Sequence, residues 1–388
     1  MGTPFNPETF VTYKSGGPKK QGGELLLIEV FWRKHCQFLK DHGYTLRPRY
    51  QPDWRPSWLD TSKDWLECED GVFPRSTVLD ATRSDGTLVM IKAIHRTRSP
   101  DEIPVGKLLS SEGLVSPRNH CIPYLEIIDP PEGSDEAFVV LPLLVPTELA
   151  PFETIGEAVE FFRQIFEGLE FMHEHNIAHE DCKYDNIMAD SHHLFDAPPH
   201  PFERYMKRDF SGPISVVRSR TRKPVKYYLI DFDLSKEYPP GGPPRLEEPP
   251  WGGDKTVPEH LLPEAPPCDP FPVDVYCLGN CVRKNFLDVC VTMFLSFSHL
   301  DRGIRKGRKG FEFMRELVND MTNPDPLKRP QMSEAASRLN SIIDGLSDWQ
   351  LRSPIVEVGQ RTKVTTFIRH WTKQLVRKAQ GTPAIPKV

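Results

Sequence analysis

The stretch from Thr154 to Asn186 constrains the fold more than any other. Thr154-x-x-Glu157 reads as a capping box opening a helix that runs through His173. Val159, Phe162, Ile165, Phe166, Leu169 and Met172 recur on one face of it, so it must pack into a sizeable core. The helix runs straight into His179-Glu180-Asp181-Cys182-Lys183-Tyr184-Asp185-Asn186, a loop crowded with charge. Further on, the apolar strand Tyr228-Leu229-Ile230 ends in Asp231-Phe232-Asp233. Asp181 or Asp231 alone could be a helix cap or a strand-end turn. Together with Lys183 and Asn186 they read better as one site.

Upstream of the helix the pattern is β-rich. Ser84-Asp85-Gly86 is a hairpin turn, followed by the strand Leu88-Val89-Met90-Ile91-Lys92-Ala93-Ile94. Lys92 would be costly to bury without a partner, which favours a functional role. Ser99-Pro100-Asp101-Glu102 has the signature of a helix start, with Ser99 as N-cap. Strands are expected at 124–128 and 137–144. Before this lobe, residues 24–42 form an amphipathic helix with Leu25, Ile28, Trp32, Cys36 and Leu39 on one face and Gly43 as its stop. An extended arm follows, with Trp54, Trp58 and Trp65 pinning it to a surface. Residues 1–23 are polar and expected to be disordered.

The second half is helical but interrupted, with helices expected from Val275, Phe311 and Ser333. The 388 residues include 39 prolines, about twice average usage, which places long irregular segments in the chain. These are the arm, an insert at 191–226 with the basic run Arg218, Arg220, Arg222 and Lys223, a Pro/Gly-rich loop at 239–250, and residues 263–272. The net charge of −5 excludes a globally basic nucleic-acid binder. Residues 1–23 lack the apolar run of a signal peptide, and no long apolar run occurs elsewhere, so a cytoplasmic or nuclear protein without a membrane partner is expected. Cys277 and Cys281 stand at i,i+4, but no second pair accompanies them, so buried thiols are expected rather than zinc ligands. The tail at 359–388 holds seven Lys/Arg and no acid, with an amphipathic look at 367–376. For both the basic insert and the tail, a solvated or lobe-packing role is the plainer reading than docking to an acidic partner.

Taken in order, these motifs resemble the protein kinase family. His179 to Asn186 is similar to the catalytic loop H-R-D-x-K-x-x-N, and Asp231-Phe232-Asp233 to the metal motif D-F-G. Lys92 stands like the lysine of the third strand, and Val257-Pro258-Glu259 like A-P-E. Asp274-Val275-Tyr276-Cys277-Leu278-Gly279 resembles the start of the following helix, and Leu327-Lys328-Arg329-Pro330 the late arginine segment. The resemblance spans about 71–346. It implies an α+β, bilobal protein kinase-like fold: a five-stranded β N-lobe (71–144) with one main helix, and a mostly helical C-lobe (145–346). The flanks are 24–70, an N-terminal helix and arm, and 347–388, a basic tail.

For the site, the resemblance implies ATP and Mg²⁺ as cofactors and a protein substrate. Lys92 would hold the α- and β-phosphates, paired with Glu102 or, failing that, Glu112. Asp181 would orient the acceptor hydroxyl and take its proton, and Lys183 would neutralise the γ-phosphoryl group. Asn186 and Asp231 would hold the metal. Gly71 and Val78 would flank the nucleotide, and Leu141 and Leu143 would belong to the hinge that meets adenine. Glu259 with Arg329 would form a structural ion pair, and Asp274 would anchor the catalytic loop.

Three departures stand out. Gly71-Val72-Phe73-Pro74-Arg75-Ser76-Thr77-Val78 keeps one glycine where the family's phosphate loop has three, leaving Arg75 as a possible substitute contact. Glu180 replaces the arginine that meets an activating phosphate, so activation by loop phosphorylation is not expected. Asp233 replaces the glycine of D-F-G, which either stiffens the segment or adds a second acid. The leading function is a Ser/Thr protein kinase. The alternatives are a pseudokinase acting as a binding or scaffold module, and a small-molecule phosphotransferase similar to the aminoglycoside phosphotransferases. Gly43-Tyr44-x-Leu46-Arg47-Pro48-Arg49-Tyr50 and Pro117 to Pro123 also resemble kinase-like proteins common in mushroom-forming fungi (basidiomycetes).

Overall fold

Helix α1 (Leu27–Asp41) stops at Gly43, whose φ of 87° turns the chain back into the short strand β1 (Tyr44–Leu46). The computed structural model describes residues 25–388 apart from 60, 73–76, 132, 243–244, 289, 296–299, 306 and 361–362; for 290–295 and 300–305 only the backbone is described. β1 pairs with β2 (Val78–Arg83), which forms the expected hairpin with β3 (Leu88–His95). β4 (Glu126–Ile128) and β5 (Glu136–Pro142) complete an antiparallel sheet in the order β1-β2-β3-β5-β4. Five strands are present, but the first comes from the segment read as an arm. Residues 47–77 therefore connect β1 to β2, where the family resemblance puts a glycine loop.

Period-two burial sets the two faces of this sheet. Tyr44, Leu46, Leu79, Ala81, Val89, Ile91, Phe138 and Val140 pack with Trp32, Cys36 and Leu39 of α1 in one core. Ile94, Ala137 and Val139 face the other way, against Ile103 of α2 (Glu102–Leu109). That helix starts later than its sequence suggests. The Ser99 N–H is bonded to the His95 carbonyl in a preceding turn, and Ser99 caps nothing. In the arm, Trp58 is buried beside Trp54, and Trp54 donates to Asp70 at 3.0 Å, so these two rings fold the arm onto itself.

After β6 (Val145–Pro146) comes α3 (Ile155–Glu174). Thr154 caps it by accepting from the Glu157 N–H at 3.2 Å. Glu157 does not close the box; its carboxylate takes the Glu153 N–H at 2.7 Å and the Thr221 N–H at 2.8 Å, fastening the insert. The short strands β7 (Ile177–Ala178), β8 (Ile187–Asp190), β9 (Lys226–Leu229) and β10 (Lys236–Glu237) frame the functional loops. β8 lies between β6 and β9, and β10 pairs with β7. Then follow α4 (Pro270–Val282), the hairpin β11 (Cys290–Leu295) and β12 (Leu300–Arg305), α5 (Arg315–Met321), α6 (Met332–Asp344), α7 (Asp348–Arg352) and α8 (Val364–Ala379). The predicted stripe of α3, completely buried at Phe162, Phe166 and Met172, centres one core with α4, α5 and α6. The side chains of Cys277 and Cys281 lie buried inside it. This is the bilobal, kinase-like α+β arrangement. The expectation for residues 1–23 and the Arg75 contact lie outside the described residues.

Candidate active site

β3 aims Lys92 out of the sheet on the face opposite α1, level with Val78 on β2 and Val139 on β5. Its Nζ lies 2.5 Å from Glu102 Oε1 and 2.5 Å from Asp231 Oδ1. Glu102 opens α2 and is 2% exposed. Burial alone would discharge this lysine, but the two carboxylates outweigh it and hold the ammonium pKa above its ordinary value. Burial pushes the Glu102 carboxyl up, and Lys92 works against that. Glu112 sits exposed in the short turn Glu112–Leu114, so Glu102 is the partner. Pro104 does no harm, because the first turn of a helix has no use for that N–H.

The loop between β7 and β8 is set by one buried carboxylate. Asp274 on α4 accepts the His179 and Glu180 N–H groups, both at 2.7 Å, and lies 3.0 Å from His173 Nε2. Asp181 follows. Its Oδ2 takes Lys183 Nζ at 2.5 Å and Asn186 Nδ2 at 2.8 Å. Its Oδ1 is buried and has no hydrogen-bond partner among the described residues. Asn186 turns its amide nitrogen toward Asp181, which leaves its carboxamide oxygen on the other side.

Asp231 adopts the left-handed conformation, φ 71°. Asp233 does not, so the backbone needs no glycine there, and the residue brings a second acid instead. Burial and then the Asp231 charge raise the Asp233 pKa. Burial works to raise Asp231 as well, but Lys92 outweighs it and holds the group low. Asp231, Asp233 and Asn186 offer hard oxygen donors suited to magnesium. No cluster of three or more His, Cys, Asp or Glu side chains among the described residues could hold a metal alone. A magnesium here would take its remaining ligands from phosphate oxygens and water.

Glu180 lies under the segment that follows Asp233. Burial, then the Asp274 and Glu247 carboxylates, push its pKa up to about 8. Tyr238 reaches Glu247 at 3.0 Å and Glu180 at 3.3 Å, and Lys236 pairs with Glu247. Lys255 collects the carbonyl oxygens of Pro250, Trp251 and Gly252 within 3.1 Å. These side chains, as well as the prolines, hold the irregular segment.

Val78 stands opposite Lys92, and Leu141 opposite Met90. The Leu143 carbonyl is engaged from outside by His192 of the insert, at 2.9 Å. Gly71 belongs to a tight turn in which a Cβ would sit 1.9 Å from the Trp65 carbonyl oxygen. That packing of the arm is sufficient reason for the glycine. Sequence reasoning missed Asp80, which shares the Lys92 face of β2, is completely buried, and meets Arg47 at 3.2 Å and Arg208 at 2.7 Å. The available signal was a lone acid in an apolar strand. Remote from this cluster, Arg329 grips Glu259 with two bonds of 2.7 and 2.6 Å, the expected structural pair.

Comparison with known proteins gives kinases. The chain is 29% identical over 134 residues to serine/threonine-protein kinase GRIK1 of Arabidopsis thaliana, covering 31% of this chain and 32% of that protein. It is 28% identical over 200 residues to human NUAK family SNF1-like kinase 2, covering 47% of this chain and 29% of that protein. GRIK2 of Arabidopsis thaliana matches at 29% over 128 residues. The chain thus spans about a third or less of the length of the curated relatives it matches. No family model matches it. Among characterised proteins, then, the chain has weak homology to Ser/Thr protein kinases.

Proposed function

We propose that the chain is an ATP- and Mg²⁺-dependent protein kinase acting on Ser/Thr hydroxyls. The observation that carries this is Asp181: one carboxylate oxygen is fixed by Lys183 and Asn186, while the other is buried and unpartnered in the described structure. A buried acceptor held ready in this way suits an incoming hydroxyl. In the proposed reaction the hydroxyl oxygen forms a bond to the γ-phosphorus, the bond to the β-phosphate oxygen breaks, and ADP leaves with that electron pair. The hydroxyl proton passes to Asp181. Lys183 stabilises charge on the transferring group, and Lys92, oriented by Glu102, holds the nucleotide phosphates. Asp231 and Asn186, with Asp233 beside them, would hold magnesium, whose charge neutralises the phosphates. Leu141, Leu143 and Val78 would border the base.

One observation favours a second reading, a pseudokinase that binds or scaffolds. Residues 47–77 replace the glycine loop, and their Arg47 and Arg49 are buried in ion pairs with Asp80, Glu69 and Glu29. The paired Glu259 and Arg329 support the protein-kinase branch over a small-molecule phosphotransferase. The test is transfer of the γ-phosphate to a generic protein substrate with ATP and Mg²⁺. Transfer lost in Asp181→Asn and Asp231→Asn supports the kinase. A thermal shift with ATP and no transfer supports the pseudokinase.

A further inference from the structure

Helix α8 docks on the C-lobe by its polar side. Gln374 and Arg377 are each 1% exposed. Arg377 donates to Ser219 Oγ at 2.5 Å and to Glu153 at 3.1 Å, and His370 meets the Arg352 carbonyl at 2.8 Å. A helix on a globular protein ordinarily turns its apolar stripe to the core. Here the stripe Val364, Phe367, Ile368 and Leu375 is 49–72% exposed. It continues across Trp371, whose ring stacks on Trp349 with centroids 3.8 Å apart, and Trp349 is itself 57% exposed. Residues 359–388 carry seven Lys/Arg and no acid. Lys363 and Arg369 are exposed and join no ion pair among the described residues.

These features select the occupant. A second copy of the helix would bring its own cations and no acid to answer them. A protein groove that wraps the helix would have to pull Arg377 out of its buried contacts. A flat anionic surface needs neither: it receives the apolar stripe and the flanking cations while the polar side stays docked. We propose that α8 lays this chain in the plane of an anionic lipid bilayer. No helix among the described residues is long and apolar enough to cross a membrane. An in-plane helix does not need to be, so the surface lies beyond the sequence expectation of no membrane partner. It is also independent of the kinase reading.

The test is co-sedimentation of the full chain with phosphatidylserine-containing vesicles and with pure phosphatidylcholine vesicles. Binding to the first, weak binding to the second and loss at high salt are the expected results. The pair Ile368→Glu and Leu375→Glu should lower partitioning at least about tenfold at an unchanged thermal midpoint, because both side chains are already exposed. The pair Lys363→Glu and Arg369→Glu should abolish the anionic preference without touching the stripe. Equal binding to both vesicle types, no binding, or full binding by either variant pair overturns the proposal. So does a soluble wild-type dimer that the Ile368/Leu375 pair splits, which would make the stripe a contact between copies.

Discussion

Arg208, in the insert that leaves the C-lobe after β8, lies 2.7 Å from Asp80 on strand β2 of the N-lobe. The two residues join the lobes outside the hinge. Asp80 has no exposed surface and also meets Arg47 at 3.2 Å, so one carboxylate holds two guanidinium groups. Phe202 of the same insert packs on the N-lobe core, with Arg47 over its ring. The insert is thus a strap as well as a loop.

Asp80→Ala leaves two arginines facing each other in a largely dehydrated site. Breaking a buried pair from one side costs about 3–5 kcal/mol. Arg208→Ala should cost less, since Arg47 remains on the carboxylate. Urea unfolding should rank the variants in that order. In Arg208→Ala, faster hydrogen exchange should be confined to β2 and the strap, and exchange that rises equally across α3 would count against a strap role.

What was legible in the sequence was what is local. The α3 stripe, the hairpin turn and the charge-crowded loop from His179 to Asn186 follow from spacing within single elements, whereas the pairing of Lys92 with Glu102 across β3 and α2 was implied only by the family resemblance, which left Glu112 open. β1 was not legible, because Tyr44-Thr45-Leu46 is too short to show a period and is recruited only by burial against α1. Asp80 could be seen to need a cation, but its partners lie 33 and 128 positions away in the chain. Ser99 carries an N-cap signature that a turn onto His95 overrides. The tail read as amphipathic, yet nothing in the pattern states which side docks. Arg377 decides that by finding Ser219 and Glu153, both remote in sequence.

The raised Glu180 carboxyl makes a pH prediction. Its native pKa is about 8, pushed there by burial and by Asp274 and Glu247, whereas an unfolded glutamate titrates near 4.3. Between these values the folded state binds the extra proton, so stability falls as pH rises through that window and levels off above it. Below the window both states are protonated and no penalty applies. Glu180→Gln keeps the shape and removes the titration. Stabilities should therefore coincide below about pH 4 and diverge progressively in favour of the variant as the pH rises from there to about 8, by on the order of a few kcal/mol, with a constant gap above it. Parallel profiles for the two proteins would refute the assignment.

Arg329 donates two hydrogen bonds to the Glu259 carboxylate, tying the segment before α4 to the segment just before α6, and both side chains are nearly buried. Removing either partner alone should destabilise the C-lobe by about 3–5 kcal/mol, because the other charge is stranded. Replacing both at once, Glu259→Met with Arg329→Met, should cost less than the two single changes added together. A double-mutant cycle by urea denaturation measures that coupling, and additive losses would show the pair to be incidental.

Glu102 gives the sharpest test of how the proposed nucleotide site is held. With Glu102→Gln, Lys92 keeps Asp231 at 2.5 Å but loses the carboxylate that draws it toward α2. The lysine would then swing onto Asp231 alone and compete with magnesium for that oxygen. ATP affinity should fall by about tenfold, roughly 1.4 kcal/mol, in a thermal-shift titration with Mg²⁺. Glu112→Gln, on an exposed turn, should bind as the parent does. If Glu102→Gln binds ATP normally while Lys92→Met does not, Lys92 holds the nucleotide without help from Glu102, and the orienting role assigned to that glutamate is wrong.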